Sequence, residues 1–415
     1  MAANIKLFPK IKKADGKPMM EFNFWRKLLF MVCMLLTLLS CKEATKNDDA
    51  LLGRVDAVLA DAPSGKMLKG PSILGIKNKF VWGGSVVKGD DDKYHMFFSF
   101  WDCGPDSIPF TSSWVLRSRI GYAVSNRPDR DFKVAPLVLG PSMSTGNWNG
   151  QSVHNPHIKK FNDTYYLYFT GSSDIEGYPE ITKRNRVQQR QQIGVIAFTD
   201  FEALKKGEYK KFNAPILGPR TRVKPGALVK PSPEGTVALP DNIITVNPSV
   251  VYNPNTQKYM LYFKGNMYVP EWRGVHGVAI SDHPTGPFTT LDHIIFDVKM
   301  PDGSTASSED PYVWYDDTMF KAVVKDFSGQ ISGNKKGLAL LVSKDGLEWT
   351  PAQDPLFRKR ELVLRDGQKL EVDRLERPQL YIEDGVPKVM YAACSLADTN
   401  TKVKGGTFNV QIPLK

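Results

Sequence analysis

Cysteine is the residue this chain most nearly does without, with four in 415 positions. Cys33 lies inside the N-terminal apolar run and Cys41 at its end, which leaves Cys103 and Cys394 for the body of the protein. Two cysteines do not make a disulfide-held scaffold, and their spacing assigns no bridge between them. The chain also lacks an apolar run long enough for a membrane-spanning helix. Leu28–Leu39 is only a dozen residues, where a helix needs about 20 to cross. Sustained apolar spacing of three and four is rare beyond a short helix expected around Asp49–Leu59, so a helical fold is disfavoured. The formal charge is +11, but no basic cluster with interleaved aromatics accompanies it, which argues against nucleic acid as a partner.

What is present begins with a leader. Arg26 and Lys27 precede Leu28–Leu39, and the run ends at Ser40-Cys41, the order of a signal peptide with a lipobox-like cleavage site. A buried helix is the plainer alternative. Residues 1–41 are therefore set aside from the fold; they carry seven Lys/Arg against two Asp/Glu, and the rest of the chain is left with about +6. Cys41 then becomes the lipidated N-terminus and the attachment to a membrane. The polar stretch Lys42–Asp49 looks like the tether of a bacterial lipoprotein, and is similar to the surface-export tethers of gut and marine Bacteroidetes. The expected destination is the outer membrane or cell surface, with the periplasmic face left open. Residues 42–70 read as tether and lead-in, and 71–415 as one folded unit.

That unit repeats itself. Trp82–Val87, His154–Ile158, Val246–Val251, Glu309–Val313 and Glu376–Leu380 share one pattern, with Pro156, Pro248, Pro311 and Pro378 at the same place and Gly84 in the first copy. Those five positions are spaced by 72, 92, 63 and 67 residues. After a tight polar turn each copy is followed by a β-rich run, at Tyr94–Phe98, Tyr165–Phe169, Tyr259–Phe263, Phe320–Val324 and Val389–Tyr391, as in a hairpin. A third strand recurs at Ile120–Ser125, Ile193–Phe198, Val275–Ser281 and Gly337–Ser343. A fourth is expected at Leu137–Leu139, Ile216–Leu217, His293–Phe296 and Glu361–Leu364. Four antiparallel strands repeated radially make an all-β, five-bladed β-propeller, with inner strands at Trp82–Val87, Val153–Ile158, Val246–Val251, Asp310–Trp314 and Pro378–Ile382. A two-sheet sandwich would also have short strands but does not require five copies of one motif.

In a propeller the first strand of each blade lines the central channel. The residues opening those strands, Trp82/Gly83, His154/Asn155, Val246/Asn247, Glu309/Asp310 and Glu376/Arg377, converge on one funnel. Carboxylates, imidazole and amides meeting there suit sugar hydrolysis, in which one acid protonates the leaving oxygen and a base activates water. Asp310 before Pro311 also suits a strand start, and Glu376 an ion pair with Arg374 or Arg377. Trp82, Trp101, Trp148 and Trp272 offer faces for sugar rings, with packing as the alternative use. Arg220, Arg222, Arg273 and Arg377 could clamp a carboxylate or sulfate, so the substrate could be anionic. His157 reads as a hydrogen-bonded core residue. His154 and His276 are a weak metal signal.

Here the chain resembles the glycoside hydrolase family 43 superfamily and its relatives in families 32, 62, 117 and 130, over about residues 70–415 and in repeat plan rather than continuous identity. The resemblance implies a first-blade Asp before Pro as base, a third-blade Asp that tunes pKa, and a fourth-blade Glu two residues before Pro as general acid. Glu309 matches the last. Gly83 and Asn247 stand at the other two positions, so either the base comes from elsewhere, with Asp102, Asp310 and Glu376 as candidates, or the chain is another branch of the propeller glycosidases, or catalysis has been lost. It further implies no organic cofactor, with a structural divalent cation such as calcium in the channel. The reading is an exo-acting glycoside hydrolase that removes a terminal sugar. The alternatives are a non-catalytic glycan-binding lipoprotein and a glycoside phosphorylase.

Overall fold

The computed structural model describes residues 53–62, 65–103, 109–141, 143–174, 179, 181–220, 235–268, 273–396 and 406–414. Five small antiparallel sheets form a five-bladed β-propeller. The inner strands are Lys79–Lys88, Ser152–Phe161, Thr245–Asn253, Ser308–Tyr315 and Arg374–Glu383, and each expected inner strand falls within one of them. Their hairpin partners are Tyr94–Asp102, Thr164–Ser172, Lys258–Met267, Phe320–Asp326 and Val386–Ser395.

The five turns that close these hairpins carry Asp92, Asn162, Gln257, Asp317 and Asp384 at positive φ. Four of the five are Asp or Asn, whose short polar side chains tolerate the left-handed region. A second left-handed residue recurs inside every inner strand: Gly83, Asn155, Asn247, Asp310 and Arg377 have φ of 51, 50, 58, 57 and 54°. At each of these positions the register with the hairpin partner shifts. The repeated motif is therefore a β-bulge, in which an extra residue re-aims the side chains around it.

The core lies between blades rather than in one central mass. Phe97 and Tyr122 of the first blade pack with Val153, Leu167 and Phe169 of the second. Tyr168 and Val195 meet Val250 and Phe263 at the next interface, and Tyr262 and Val278 meet Val313 and Phe320 at the one after. Tyr312 and Val323 meet Leu380 and Met390, and Tyr381 and Tyr391 close the circle on Met96 and Phe98. Each large side chain so buried contributes roughly 1.5–3 kcal/mol, which holds neighbouring blades in fixed relation.

Hydrogen bonds repeat around the axis as well. The residue after each Pro or Gly reaches the next blade: Ser85 Oγ accepts from Ile158 N at 3.0 Å, His157 Nε2 from Val250 N at 3.0 Å and Ser249 Oγ from Val313 N at 2.9 Å. Tyr312 donates to Leu380 O at 2.9 Å, and Ser85 donates to Gln379 Oε1 at 3.0 Å. His157 is thus the core residue its sequence context suggested.

The outer strands differ from expectation. Lys133–Leu139 is the outer strand of the first blade as expected, and Leu217 bridges Ile193 in the second. In the third blade the outer strand is Thr289–Thr290, with Ile295 only bridging His276. The outer strand of the fourth blade is Thr350–Arg358, because Glu361–Val363 instead pairs with Lys369–Glu371 in a separate hairpin. The fifth blade takes its third strand from Thr407–Pro413 and its fourth from Ile73–Leu74, so the two ends of the folded unit close the ring together. Residues 53–59 form no helix; Val58–Ala62 pairs with Gly65–Lys69, and the first residues of the expected helix lie outside the described set. No described helix is long and apolar enough to cross a membrane. The leader, Cys41 and the tether also lie outside the described residues.

Candidate active site

Four of the five bulge residues, Asn155, Asn247, Asp310 and Arg377, line one cavity of about 410 Å³. Around its base runs a polar chain, one link per blade. Ser99 Oγ accepts from Asn155 N at 2.9 Å, Asn155 Nδ2 donates to Asn247 Oδ1 at 2.5 Å, and Asn247 Nδ2 donates to Asp310 Oδ1 at 2.7 Å. Arg377 closes on Asp310 with its backbone N at 3.2 Å and its Nη1 at 3.3 Å. In the last gap, between Arg377 and the first blade, stands Gly83. A Cβ there would lie 3.4 Å from Arg377 Cβ and 3.8 Å from its Nε, so the arginine side chain runs along the bare face of the glycine.

The residue before each bulge lines the cavity: Trp82, His154, Val246, Glu309 and Glu376. Both glutamates meet a lysine from the second strand of the preceding blade. Lys264 donates to Glu309, and Lys325 donates to Glu376. Arg374 Nη1 adds a second contact to Glu376 at 3.3 Å. Burial pulls the Lys264 ammonium down to about 8, with the positive charges of Lys325 and Arg377 adding to the shift and Asp310 and Glu376 opposing it. His154 is 2% exposed. Burial and then the Arg377 charge push its imidazole down to about 3, so it is neutral at ordinary pH. The Asn155 and Gln191 amides lie close enough to act weakly against that shift, yet neither ring nitrogen has a partner in hydrogen-bond geometry.

One wall is aromatic. After the first hairpin the chain forms helix α1, Phe110–Arg117, begun at Pro109 and ended where Ser118 leads into the next strand. It sets Phe110 4.6 Å from Trp82 between ring centroids, and Trp114 edge-on to His154 at 5.1 Å. Trp101 is fixed by a 2.9 Å bond from its Nε1 to Ser113 Oγ. Helix α2, Lys183–Gln188, is capped by Thr182 and tied to α1 by Arg184, which donates to Thr111 O at 3.1 Å. Gln188 and Gln191 extend this wall. The cavity is thus lined by aromatic rings and two ion-paired carboxylates, a composition that suits a sugar with an apolar face and a reacting acetal oxygen.

The structure brings together Trp82, His154, Asn155, Asn247, Glu309, Asp310, Glu376 and Arg377 among the expected residues. Others lie elsewhere. Asp102 is 72% exposed and paired with Lys79 at 2.5 Å, outside the cavity lining, because it ends its strand facing solvent. Arg220 is held by Asp241 at 2.6 and 2.9 Å and by Asp292 at 2.7 Å, which leaves it a structural cation away from the lining. Trp148 stacks on Phe169 at 5.7 Å and covers Gly171 and Gly194, so it packs a blade interface. His276 is buried beside Phe296 and does not line the cavity. Trp272, Arg222 and the side chain of Arg273 lie outside the described residues.

The residues at the channel do not make a calcium cage. Calcium takes six to eight oxygens, whereas Asp310 spends its oxygens on Asn247 and Arg377. Among the described residues no three His, Cys, Asp or Glu are grouped to hold a metal ion. Arg374 pairs with Glu376, one of the two ion pairs that the sequence allowed for that glutamate, whereas Lys264, Lys325, Phe110 and Trp114 are not marked by the repeat. The two lysines left a trace in the sequence: each sits at the same register of a second strand, in Phe263-Lys264-Gly265 and Val324-Lys325-Asp326, where an apolar run would otherwise continue.

No protein-family model and no curated protein matches the sequence. Solved structures do. A family 117 glycoside hydrolase, Zg3597 of the marine bacterium Zobellia galactanivorans, aligns over 88% of this chain and 91% of its own at 15% identity, with a TM-score of 0.51. BT0996, in a complex with RGII, aligns over 82% and 90% at 11% identity and a TM-score of 0.54. An inulosucrase from Halalkalicoccus jeotgali, bound to kestose, aligns over 89% and 92% at 14% identity and a TM-score of 0.50. At these identities the likeness establishes the architecture, and the chain is a five-bladed β-propeller of the kind found in that family 117 glycoside hydrolase and that inulosucrase.

Proposed function

We propose that the chain is a glycoside hydrolase that removes a terminal sugar from an oligosaccharide, with Glu309 as proton donor and Glu376 as the second carboxylate. The observation that carries this is that two glutamates from adjacent blades line one cavity together with Trp82, Phe110 and Trp114. The shared fold with a family 117 glycoside hydrolase supports it. Glu376 is preferred as the base over Asp310, whose oxygens accept from Asn247 and Arg377, and over Asp102, which is not among the residues lining the cavity. In the resting site Glu309 is ion-paired with Lys264, whose ammonium burial holds at about 8. That proton passes to Glu309 and from there to the glycosidic oxygen as the bond to the anomeric carbon breaks. Glu376 takes the proton of the water that adds to that carbon.

A second reading has its own observation. Both glutamates are neutralised by lysines, and Gly83 leaves the first inner strand without an acid, which suits a protein that binds a glycan without cleaving it. Incubating the purified chain with plant, algal and host oligosaccharides, with and without phosphate, separates the readings. Release of a free terminal sugar supports hydrolysis, a sugar phosphate formed only with phosphate supports phosphorolysis, and binding without cleavage supports the second reading. We further propose attachment to the outer membrane or cell surface through a lipid on Cys41. Intact-mass analysis of membrane-extracted protein tests this, since an unmodified chain retaining residues 20–40 contradicts it.

A further inference from the structure

Arg377 is a buried residue whose side chain lines the cavity. It is 4% exposed, and its guanidinium makes one hydrogen bond among the described residues, from Nη1 to Asp310 at 3.3 Å. The rest of that rigid fork borders the cavity, along the face left open by Gly83. His154 borders the same space with both ring nitrogens unmatched and 2% of its surface exposed. Buried polar groups are ordinarily satisfied, so the unmatched imidazole of His154, which carries one N–H when neutral, beside the cavity-lining guanidinium of Arg377 marks where a ligand supplies acceptors. The neighbouring charges do not compete for that role. Glu309 is met by Lys264, and Glu376 by Lys325 and Arg374, whose Nε also lies 3.6 Å from Asp373.

We propose that this end of the cavity is a subsite for an oxyanion carried on the sugar, a carboxylate or a sulfate ester, received by the guanidinium of Arg377 with His154 as a neutral donor beside it. A guanidinium edge matches two oxygens of such a group at once, and the wall of Trp82 and Trp114 holds the ring that bears it. The assignment rests on the reading of the cavity as a sugar site, but not on cleavage.

Calorimetric titration of the full folded chain tests it. The probes are galacturonate- and glucuronate-terminated disaccharides, their carboxyl-reduced neutral counterparts, an O-sulfated hexose disaccharide, and inorganic phosphate alone. At least one acidic probe is expected to bind tenfold or more tighter than its neutral counterpart, the scale of a charge-assisted hydrogen bond, and whether uronate or sulfated probe wins names the group. Arg377→Lys, which keeps a cation for Asp310 but loses the fork, is expected to weaken the acidic probe about tenfold and leave the neutral one unchanged. Should that variant melt early, His154→Phe reads the same subsite from its other side, with acidic binding reduced and neutral binding kept. Acidic and neutral probes binding alike, no acidic probe binding at all, or phosphate alone binding as tightly as the acidic sugars overturns the proposal. Acid-selective binding without cleavage leaves the subsite standing and removes the hydrolase reading; cleavage of neutral sugars alone does the reverse.

Discussion

Lys264 on the third blade meets Glu309 on the fourth, and Lys325 one blade further meets Glu376 in the same way. The two lysines hold equivalent positions on their second strands. The site is therefore built by a repeated contact between neighbouring blades, and its geometry depends on the packing of the blades that supply it.

Lys264 gives the site a pH signature. Burial lowers its folded-state value from 10.5 to about 8, so the unfolded chain holds that proton more tightly and unfolding takes one up between pH 8 and 10.5. Stability then rises with pH across that window, and below pH 8 the full cost of the buried charge is present. The difference in melting temperature between wild type and Lys264→Met is expected to move in favour of the wild type from pH 8 to 10. Activity is expected to fall above about pH 8 as the proton reserve empties, with that limb missing in Lys264→Met. A pH series of melts and of kcat/KM checks both.

Asp310 is a stability residue. It is 4% exposed and accepts from Asn247 and Arg377, and removing its charge leaves a buried guanidinium without a counter-ion. Asp310→Asn is expected to cost about 3 kcal/mol in denaturant unfolding. Asp102→Asn, at an exposed pair with Lys79, is expected to change stability by less than about 0.5 kcal/mol and to leave turnover unchanged.

Gly83 sits at a φ of 51° against the arginine side chain. Gly83→Ala is expected to cost about 1–2 kcal/mol for the left-handed backbone alone. Its measurable consequence is a shift of the unfolding midpoint without a change in slope.

The inner strands were legible because each bulge needs a residue that tolerates positive φ beside a Pro or Gly, and that requirement repeats as Gly83-Gly84, Asn155-Pro156, Asn247-Pro248, Asp310-Pro311 and Arg377-Pro378. Glu309 and Glu376 were found through the same repeat. The outer strands were not. Thr350–Arg358 is largely solvent-facing and reads as loop, while the more apolar Glu361–Leu364 imitates a strand of the blade although it pairs outside it. The closing strand Ile73–Leu74 is two residues long and pairs with Asn409 and Val410, a distance along the chain that no local pattern spans. Lys264 and Lys325 were overlooked because their partners stand on other blades, and the helix that supplies Trp114 is too short to show a period.

The most direct test of the central claim compares Glu309→Gln and Glu376→Gln with wild type on a released oligosaccharide and on an aryl glycoside of the same sugar. The account predicts that Glu309→Gln keeps fold and ligand affinity, loses about 10²–10⁴-fold in kcat on the oligosaccharide, and loses far less on the aryl glycoside, whose leaving group needs little protonation. Glu376→Gln is predicted to lose on both. Near-wild-type turnover of the oligosaccharide by Glu309→Gln would contradict the assignment of Glu309 as the proton donor.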